Sequence, residues 1–461
     1  MPVDRSAPDI TTRPTLASAR LVLLAFGIVA GPLSLSGQAP SPSTIAPPST
    51  LIRDIGAPKA NTNSTFSSAT EALAMLLQVV GNLEGKVQAK ELDSIHSEDV
   101  ILSASVTALL QQASRLEPTQ REPFRAEFVK FSQHVAALHL AGDTRREAVA
   151  IQEMQQVQET FERIKGYFSD AVLASARTLA SVYVCSRHRD VHGTSADTCP
   201  KCGAPLDQQS RILPAFCGLP TPSTNPIRAV VRTEAPLSTG TTVKAFLQLT
   251  RADRAPVYAS DLIVSHTERI HLLIIDAGLT DYQHEHPHPT RVAGEYVFSF
   301  TPRKPGPYRI WADLRAHPLG LQEYAMTMVP ADGIGLPIDH VETNQVTLDG
   351  LQYQLTFPFG ELHVGRPAPG RLHISRPDGS PFTQLEPVMD SFAHLVAFHE
   401  DGQTIMHLHP KGPPITSPNA RGGPELEFQL FATKPGFVRL FAQVQIGGVS
   451  RFAPFGLRIV W

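Results

Sequence analysis

The sequence predicts a multidomain α + β protein: a four-helix bundle, a small zinc-ribbon-like Cys/His knuckle, and two immunoglobulin-like β-sandwich modules. Three observations predict it. Apolar residues recur three and four apart over residues 66–182, the spacing of one helix face. Beyond residue 220 the period becomes two, in short stretches broken by Gly and Pro. The second half also repeats itself: ERIHLLIIDAGLTDYQHEHP, with His271, His284 and His286, is echoed by SFAHLVAFHEDGQTIMHLHP, with His394, His407 and His409. In both, one His is followed after twelve residues by His-x-His-Pro, and later by Pro-Gly-x-Tyr/Val-Arg (Pro305–Arg309 and Pro435–Arg439). A shared ligand-type spacing inside a shared scaffold points to two related modules that each hold a metal.

Bulk composition agrees. A chain of 461 residues exceeds the size at which one core keeps growing, so several domains are expected. A net charge of -3 gives no electrostatic case for nucleic acid or an anionic membrane surface. Forty prolines, above the usual share of about 5%, and 18% charged residues, below the usual share of about 25%, suit a loop-rich exported protein.

Residues 1–39 have the order of a secretory signal peptide: Arg5, Arg13 and Arg20, the apolar run Leu21–Ala30, then small residues ending near Gly37-Gln38-Ala39. The run is short for a membrane span and is broken at Gly31-Pro32, although an uncleaved anchor is the alternative. With no Cys before Cys185 a lipoprotein is excluded, and no other span is found, so a periplasmic or secreted mature chain is expected. Residues 40–65, rich in Pro, Ser, Thr and Asn, read as a disordered linker.

Within residues 66–182, Leu73, Leu76, Val80, Leu83 and Val87 share one face of a first helix. Asp93 and Ser94 can cap a second, carrying Ile95, Leu102, Val106 and Leu109. A third starts near Pro118 with Phe124, Phe128, Phe131, Val135 and Leu138, and a fourth runs from Ile151 through Met154, Val157, Phe161 and Ile164 to Phe168. Short turns between amphipathic helices predict an up-down bundle. Its Met75, His96, His134, His139 and Met154 form no Glu-x-x-His pair, so they are assigned structural or surface roles.

Residues 183–217 carry the sharpest local motif, Cys185-Ser-Arg-His188 followed by Cys199-Pro-Lys-Cys202-Gly203. Paired ligands separated by two residues reach one ion, and thiolate with imidazole suits tetrahedral Zn2+. Cys217 and His192 are left as spectators, and a Cys199–Cys202 redox pair lacks a βαβ context. The stretch YVCSRHRDVHGTSADTCPKCGAPL resembles the heavy-metal-binding domain of bacterial copper-efflux adaptors and metal-transporting ATPases. Tyr183, Cys185, His188, Cys199, Pro200, Cys202, Gly203 and Leu206 match that family's pattern. Its two methionines are replaced by Arg187 and Ala204, so the resemblance implies a closed zinc site rather than transfer of Cu+.

The sandwich modules are placed at residues 222–332 and 340–461, each with room for six to eight short strands. On a strand, residues two apart share a face, so His284 with His286, and His407 with His409, can converge on one ion. His271 and His394 then come from the neighbouring strands of hairpins looping through Asp276–Asp281 and Glu400–Gln403. Counting five back adds His266 and Met389. The expected sets are His266/His271/His284/His286 and Met389/His394/His407/His409, the thioether making the second suit copper. The competing reading is structural, since His271 shares parity with Leu273 and Ile275, and His394 with Val396 and Phe398. The blocks also look like poorly characterised β-sandwich modules that accompany heavy-metal-binding domains in exported bacterial proteins, a resemblance that implies association with metals.

No nucleotide loop or Gly-x-Ser-x-Gly elbow is found. His284-Glu285-His286-Pro287-His288 matches His-Glu-x-x-His by letter, but Pro287 would break the helix that motif needs. The expected function is therefore not enzymatic: an exported heavy-metal-binding protein that buffers, carries or senses copper or zinc. Its partners are metal ions and a metal-efflux or envelope protein. The alternative is a structural or interaction module with a purely structural zinc knuckle.

Overall fold

The computed structural model describes residues 68–181, 183–185, 191–193, 197–203, 227–331, 333–358, 360–364, 367–408, 410–412 and 415–461, with residues 52, 66 and 206. All lie in one compact unit, Pro47–Trp461. The expected signal segment and linker core fall outside the described residues, as do His188, Cys217 and His409 and the side chains of His96 and His192.

The molecule is mixed α + β, with five α-helices among the described residues rather than four: α1 (Ala69–Gln88), α2 (Asp99–Leu110), α3 (Pro118–Asp143), α4 (Glu147–Lys165) and α5 (Asp170–Ala180). The expected apolar stripes of α1 and α3 are buried, Phe124, Phe128 and Phe131 completely. Two differences have local causes. The turn after α1 winds as a 3₁₀ helix over Leu92–Glu98 and becomes α-helical only at Asp99. The fourth helix stops at Lys165 because Gly166 ends it, and Ser169 opens α5 by accepting a bond from the Val172 N–H.

A two-stranded ribbon follows, β1 (Tyr183–Val184) with β2 (His192–Gly193). The first β-module comprises β3 (Arg228–Thr233), β4 (Val243–Thr250), β5 (Ile270–Asp276), β6 (Gln283–Glu285), β7 (His288–Pro289), β8 (Glu295–Phe300), β9 (Tyr308–Arg315) and β10 (Gln322–Val329). Its two antiparallel sheets run β3-β4-β8-β7 and β10-β9-β5-β6. The second comprises β11 (Gln345–Leu348), β12 (Leu351–Thr356), β13 (Leu362–His363), β14 (Pro367–Ser375), β15 (His394–His399), β16 (Ile405–Leu408), β17 (Glu425–Phe431), β18 (Gly436–Ile446) and β19 (Val449–Val460). Its sheets run β11-β12-β14-β17 and β13-β19-β18-β15-β16. Both modules are sandwich-like, and β5-β6-β9 in one corresponds to β15-β16-β18 in the other.

Alternation on β5 explains how the modules meet. Ile270, Leu272 and Ile274 enter their own module's core with Leu247, Phe298 and Ile310. Leu273 and Ile275 point the other way and pack with Leu279, Tyr282 and Trp311 against Val396, Phe398 and Phe441 of the second module. Tyr282 meets Phe398, Phe441 and Phe452, each at 5.2 Å between ring centres, and Trp311 meets Phe398 at 5.5 Å. Strands buried on both faces read as continuous apolar runs, as IHLLII and HLVAF do.

Candidate metal centre

The two histidine sets do not lie apart, one per module; they meet at the end of this apolar seam. His271 and His394 share their strands' seam-facing parity, and β6 and β16 place His284 opposite Leu273 and His407 opposite Val396. Ring centres lie 5.7 Å apart for His271–His407, 5.9 Å for His284–His394 and 6.4 Å for His271–His394. The parity that favoured a structural reading is the parity that delivers these imidazoles to the interface.

Within the first module, His271 Nδ1 lies 3.2 Å from His284 Nε2 and 3.1 Å from His286 Nε2. The far side of each of the first two rings sets its tautomer. His271 Nε2 faces the Ser265 carbonyl at 2.9 Å, and a carbonyl only accepts, so Nε2 carries the proton. His284 Nδ1 faces Gln443 Oε1 at 2.9 Å and donates to it in the tautomer that leaves Nε2 its lone pair, while Gln443 Nε2 donates to Ser450 Oγ. With these tautomers His271 Nδ1 and His284 Nε2 both present lone pairs at hydrogen-bond distance, His286 Nε2 lies within reach of the same Nδ1, and the three imidazoles could hold one metal ion. Two imidazoles bonded at 2.0–2.1 Å to a tetrahedral ion would place their nitrogens about 3.4 Å apart, close to what is seen.

The second module repeats the arrangement. His394 Nδ1 lies 3.1 Å from His407 Nε2. His394 Nε2 faces the Met389 carbonyl at 3.4 Å, and His407 Nδ1 donates to Asp313 Oδ2 at 2.7 Å. Met389 thus contributes a carbonyl contact to the ring, while His266, its counterpart, sets its own ring 5.8 Å from His394. Both residues occupy matching turns with positive φ (+50° at His266, +48° at Met389) closed by paired bonds, Ser265 with Glu268 and Val388 with Ser391.

The supporting residues cross over. Asp313 of β9 stands opposite His271 in register, and Gln443 of β18 stands opposite His394. Yet Asp313 holds His407 and Gln443 holds His284, so each module's hairpin histidine is braced by its neighbour. Sequence reasoning missed both; the available signal was that they occupy equivalent places after the Pro-Gly-x-Tyr/Val-Arg repeat. Gln322 Nε2 donates to both oxygens of Asp313, at 3.0 and 3.1 Å. Farther out, Arg315 on the same strand pairs with Asp99 of α2 at 3.0 Å, and Asp99 also meets His139 of α3 at 2.7 Å.

Electrostatics keep the rings neutral. Burial, with the neighbouring His407, pushes His271 down to about 4; burial, with His288, pushes His286 down to about 4. Burial also drives His284 and His394 well below the usual imidazole value. Burial works to raise Asp313, but the hydrogen bonds from His407 and Gln322 and the attraction of His407 and His271 together outweigh it and hold the carboxyl below its usual range. Metal binding needs deprotonated imidazole, and burial favours that form in His271, His284, His286 and His394.

In the knuckle, Cys185, Cys199 and Cys202 converge closely enough that they could hold one metal ion, and no disulfide joins them. Cys185 Sγ and Cys202 Sγ lie 3.7 Å apart, too far for a disulfide and close to the roughly 3.8 Å expected of two thiolates at 2.3 Å on a tetrahedral zinc. Gly203, at φ +71°, lets the chain fold back so that its N–H reaches the Cys199 carbonyl at 2.7 Å. Burial works to raise Cys199, but the Lys201 N–H and the neighbouring Cys groups bring it down to about 6, a thiolate-forming environment.

A family model described as a domain of unknown function (DUF8832) matches residues 228–329 and 345–460, which coincide with the two β-modules. No family model for a heavy-metal-binding domain matches the knuckle, and no curated protein matches the chain. Among solved structures, an Escherichia coli adhesin is similar at 13% identity and a TM-score of 0.16, covering 50% of this chain. The match spans 63% of that adhesin chain's length. A marsupial T cell receptor is similar at 12% identity and a TM-score of 0.15, over 51% of this chain and 72% of the other. No helix among the described residues is long and apolar enough to cross a membrane.

Proposed function

We propose that this chain is an exported, non-catalytic heavy-metal-binding protein that buffers, carries or senses copper or zinc in the periplasm. In this reading the histidine cluster between the β-modules holds the exchangeable metal. Cys185, Cys199 and Cys202 hold a structural zinc, with His188 as the fourth ligand that the motif implies. The carrying observation is the convergence of three imidazoles, with His271 Nδ1 3.2 Å from His284 Nε2 and 3.1 Å from His286 Nε2, and the far nitrogens of His271 and His284 set against a carbonyl and an amide oxygen. Glu285, the acid of the His-Glu-x-x-His string, pairs with Leu272 across the strand and faces away from His284, which supports a binding rather than a hydrolytic role. A metal-efflux or envelope protein is the proposed partner.

The test is metal analysis of the full chain purified from the periplasm, with His284→Ala/His286→Ala beside it. Wild type is expected to carry copper or zinc beyond the knuckle's ion, and the variant to lose that excess while melting as a folded protein. A single zinc per chain in both proteins, with no copper uptake by either, would overturn the reading in favour of a structural module with a zinc staple.

A further inference from the structure

Resting on the metal-binding reading above, we infer that Met326 and Met328 form a surface thioether site for a soft monovalent ion, copper(I) or its stand-in silver(I). There the ion is taken up before it reaches the histidine cluster. Both side chains lie at the surface, 44% and 57% exposed, on β10, the outer strand of the sheet β10-β9-β5-β6. Residues two apart on a strand share a face and stand roughly 6.4–6.8 Å apart along it, a span that two unbranched methionine side chains can close around one ion. A single exposed apolar residue needs no explanation. What singles out this pair is the face it stands on.

Register fixes that face. Tyr324, Met326 and Met328 stand opposite Asp313, Trp311 and Arg309 of β9, while Ala325 and Val329 turn into the first module's own core. The methionines therefore continue the seam-facing row of Trp311, and that row leads to the metal centre. Tyr324 packs on the seam, and its hydroxyl accepts from Gln322 Nε2 at 2.9 Å. The same Nε2 donates to Asp313, which holds His407. Arg309 directs its guanidinium to Gly402 on the turn between β15 and β16. The chemistry is graded along the row. Neutral thioethers select soft monovalent ions over Zn2+, and at an exposed site water competes for the ion. Farther in, three converging imidazoles and the buried Asp313 carboxylate offer more donors and a full negative charge. An ion caught at the rim thus moves toward tighter coordination.

The test uses the full chain with carbon-13 in its methionine methyl groups, titrated with Ag+ or Zn2+. The Met326 and Met328 methyl signals are expected to shift with Ag+ and to stay in place with Zn2+. Loading is then followed by mixing with Ag+ and stopping at timed intervals with excess free methionine, which strips ions held by exposed thioethers. Native mass spectrometry counts the Ag+ retained. Met326→Leu/Met328→Leu should retain the same final number as wild type but reach it severalfold more slowly. Leucine is close to methionine in volume and both positions are exposed, so the fold is kept. Methyl signals that ignore Ag+, or a double variant that loads as fast as wild type, would sink the inference. The metal-binding reading would still stand if His284→Ala/His286→Ala retains less Ag+ than wild type. If that variant retains as much as wild type, the reading fails and the route into the cluster fails with it.

Discussion

Opposite His271 on the neighbouring strand stands Asp313; at the same place in the second module, opposite His394, stands Gln443. The turn five residues earlier carries His266 in one module and Met389 in the other. Around these substitutions the two halves match: the paired-bond turn, the strand buried on both faces, the hairpin histidine and the aromatic of the seam, Trp311 or Phe441. The duplication kept what closes the seam and varied what touches the imidazoles. Because support crosses over, the carboxylate of the first module tunes the histidine of the second, and neither half is complete alone.

The largest effect should come from the shared part. Trp311→Ala and Phe441→Ala each remove a buried aromatic from the same apolar seam, and each should cost about 3–5 kcal/mol. Guanidinium unfolding followed by tryptophan fluorescence (for Phe441→Ala) and circular dichroism (for both) measures this. If the modules are one cooperative pair, each substitution moves the midpoint of the whole β-region. An early transition confined to one module would break the equivalence of the two halves.

How far the sequence showed this is best seen on β5 and β15. The repeat His-x12-His-x-His-Pro revealed the duplication, and strand parity correctly put His271 with Leu273 and His394 with Val396. It did not reveal what that face covers, because an apolar face buried against another module looks in sequence like one buried in its own core. The crossed support was hidden for a related reason: Asp313 and Gln443 lie far along the chain from the histidines they hold, on the other module. In the helical region, amphipathic spacing locates α1 and α3, but the Gly166–Ser169 break between α4 and α5 is hidden because the apolar stripe runs on through it to the buried Phe168.

An intermediate effect should separate the two supports. A carboxylate behind a ligating imidazole makes it a stronger donor, and removing such support typically costs 10–100-fold in metal affinity. Asp313→Asn keeps the shape and removes the charge behind His407, so the affinity of the histidine cluster for Ag+, used as a stand-in for Cu+, should fall by about that factor. Gln443→Glu makes the reverse change behind His284 and should raise affinity there. Competition titrations against a chelator of known affinity measure both. Equal and opposite shifts would show that the two halves differ chiefly by that one charge.

The smallest effect belongs to the turns. A side chain at positive φ is strained by roughly 1–2 kcal/mol relative to glycine, although glycine loses about 0.5–1 kcal/mol more in conformational entropy on folding. Met389→Gly should therefore leave stability unchanged or raise it by up to about 1.5 kcal/mol, since the backbone carbonyl that meets His394 is retained. His266→Gly relieves the same strain but also deletes the ring that packs 5.8 Å from His394 and 6.4 Å from His271. Its stability gain should be smaller, and it alone should loosen metal held by the cluster. Denaturation midpoints with and without Ag+ separate the two contributions. If Met389→Gly weakened Ag+ binding as much as His266→Gly, the thioether would act as a ligand, and the modules would be more nearly equal than their side chains suggest.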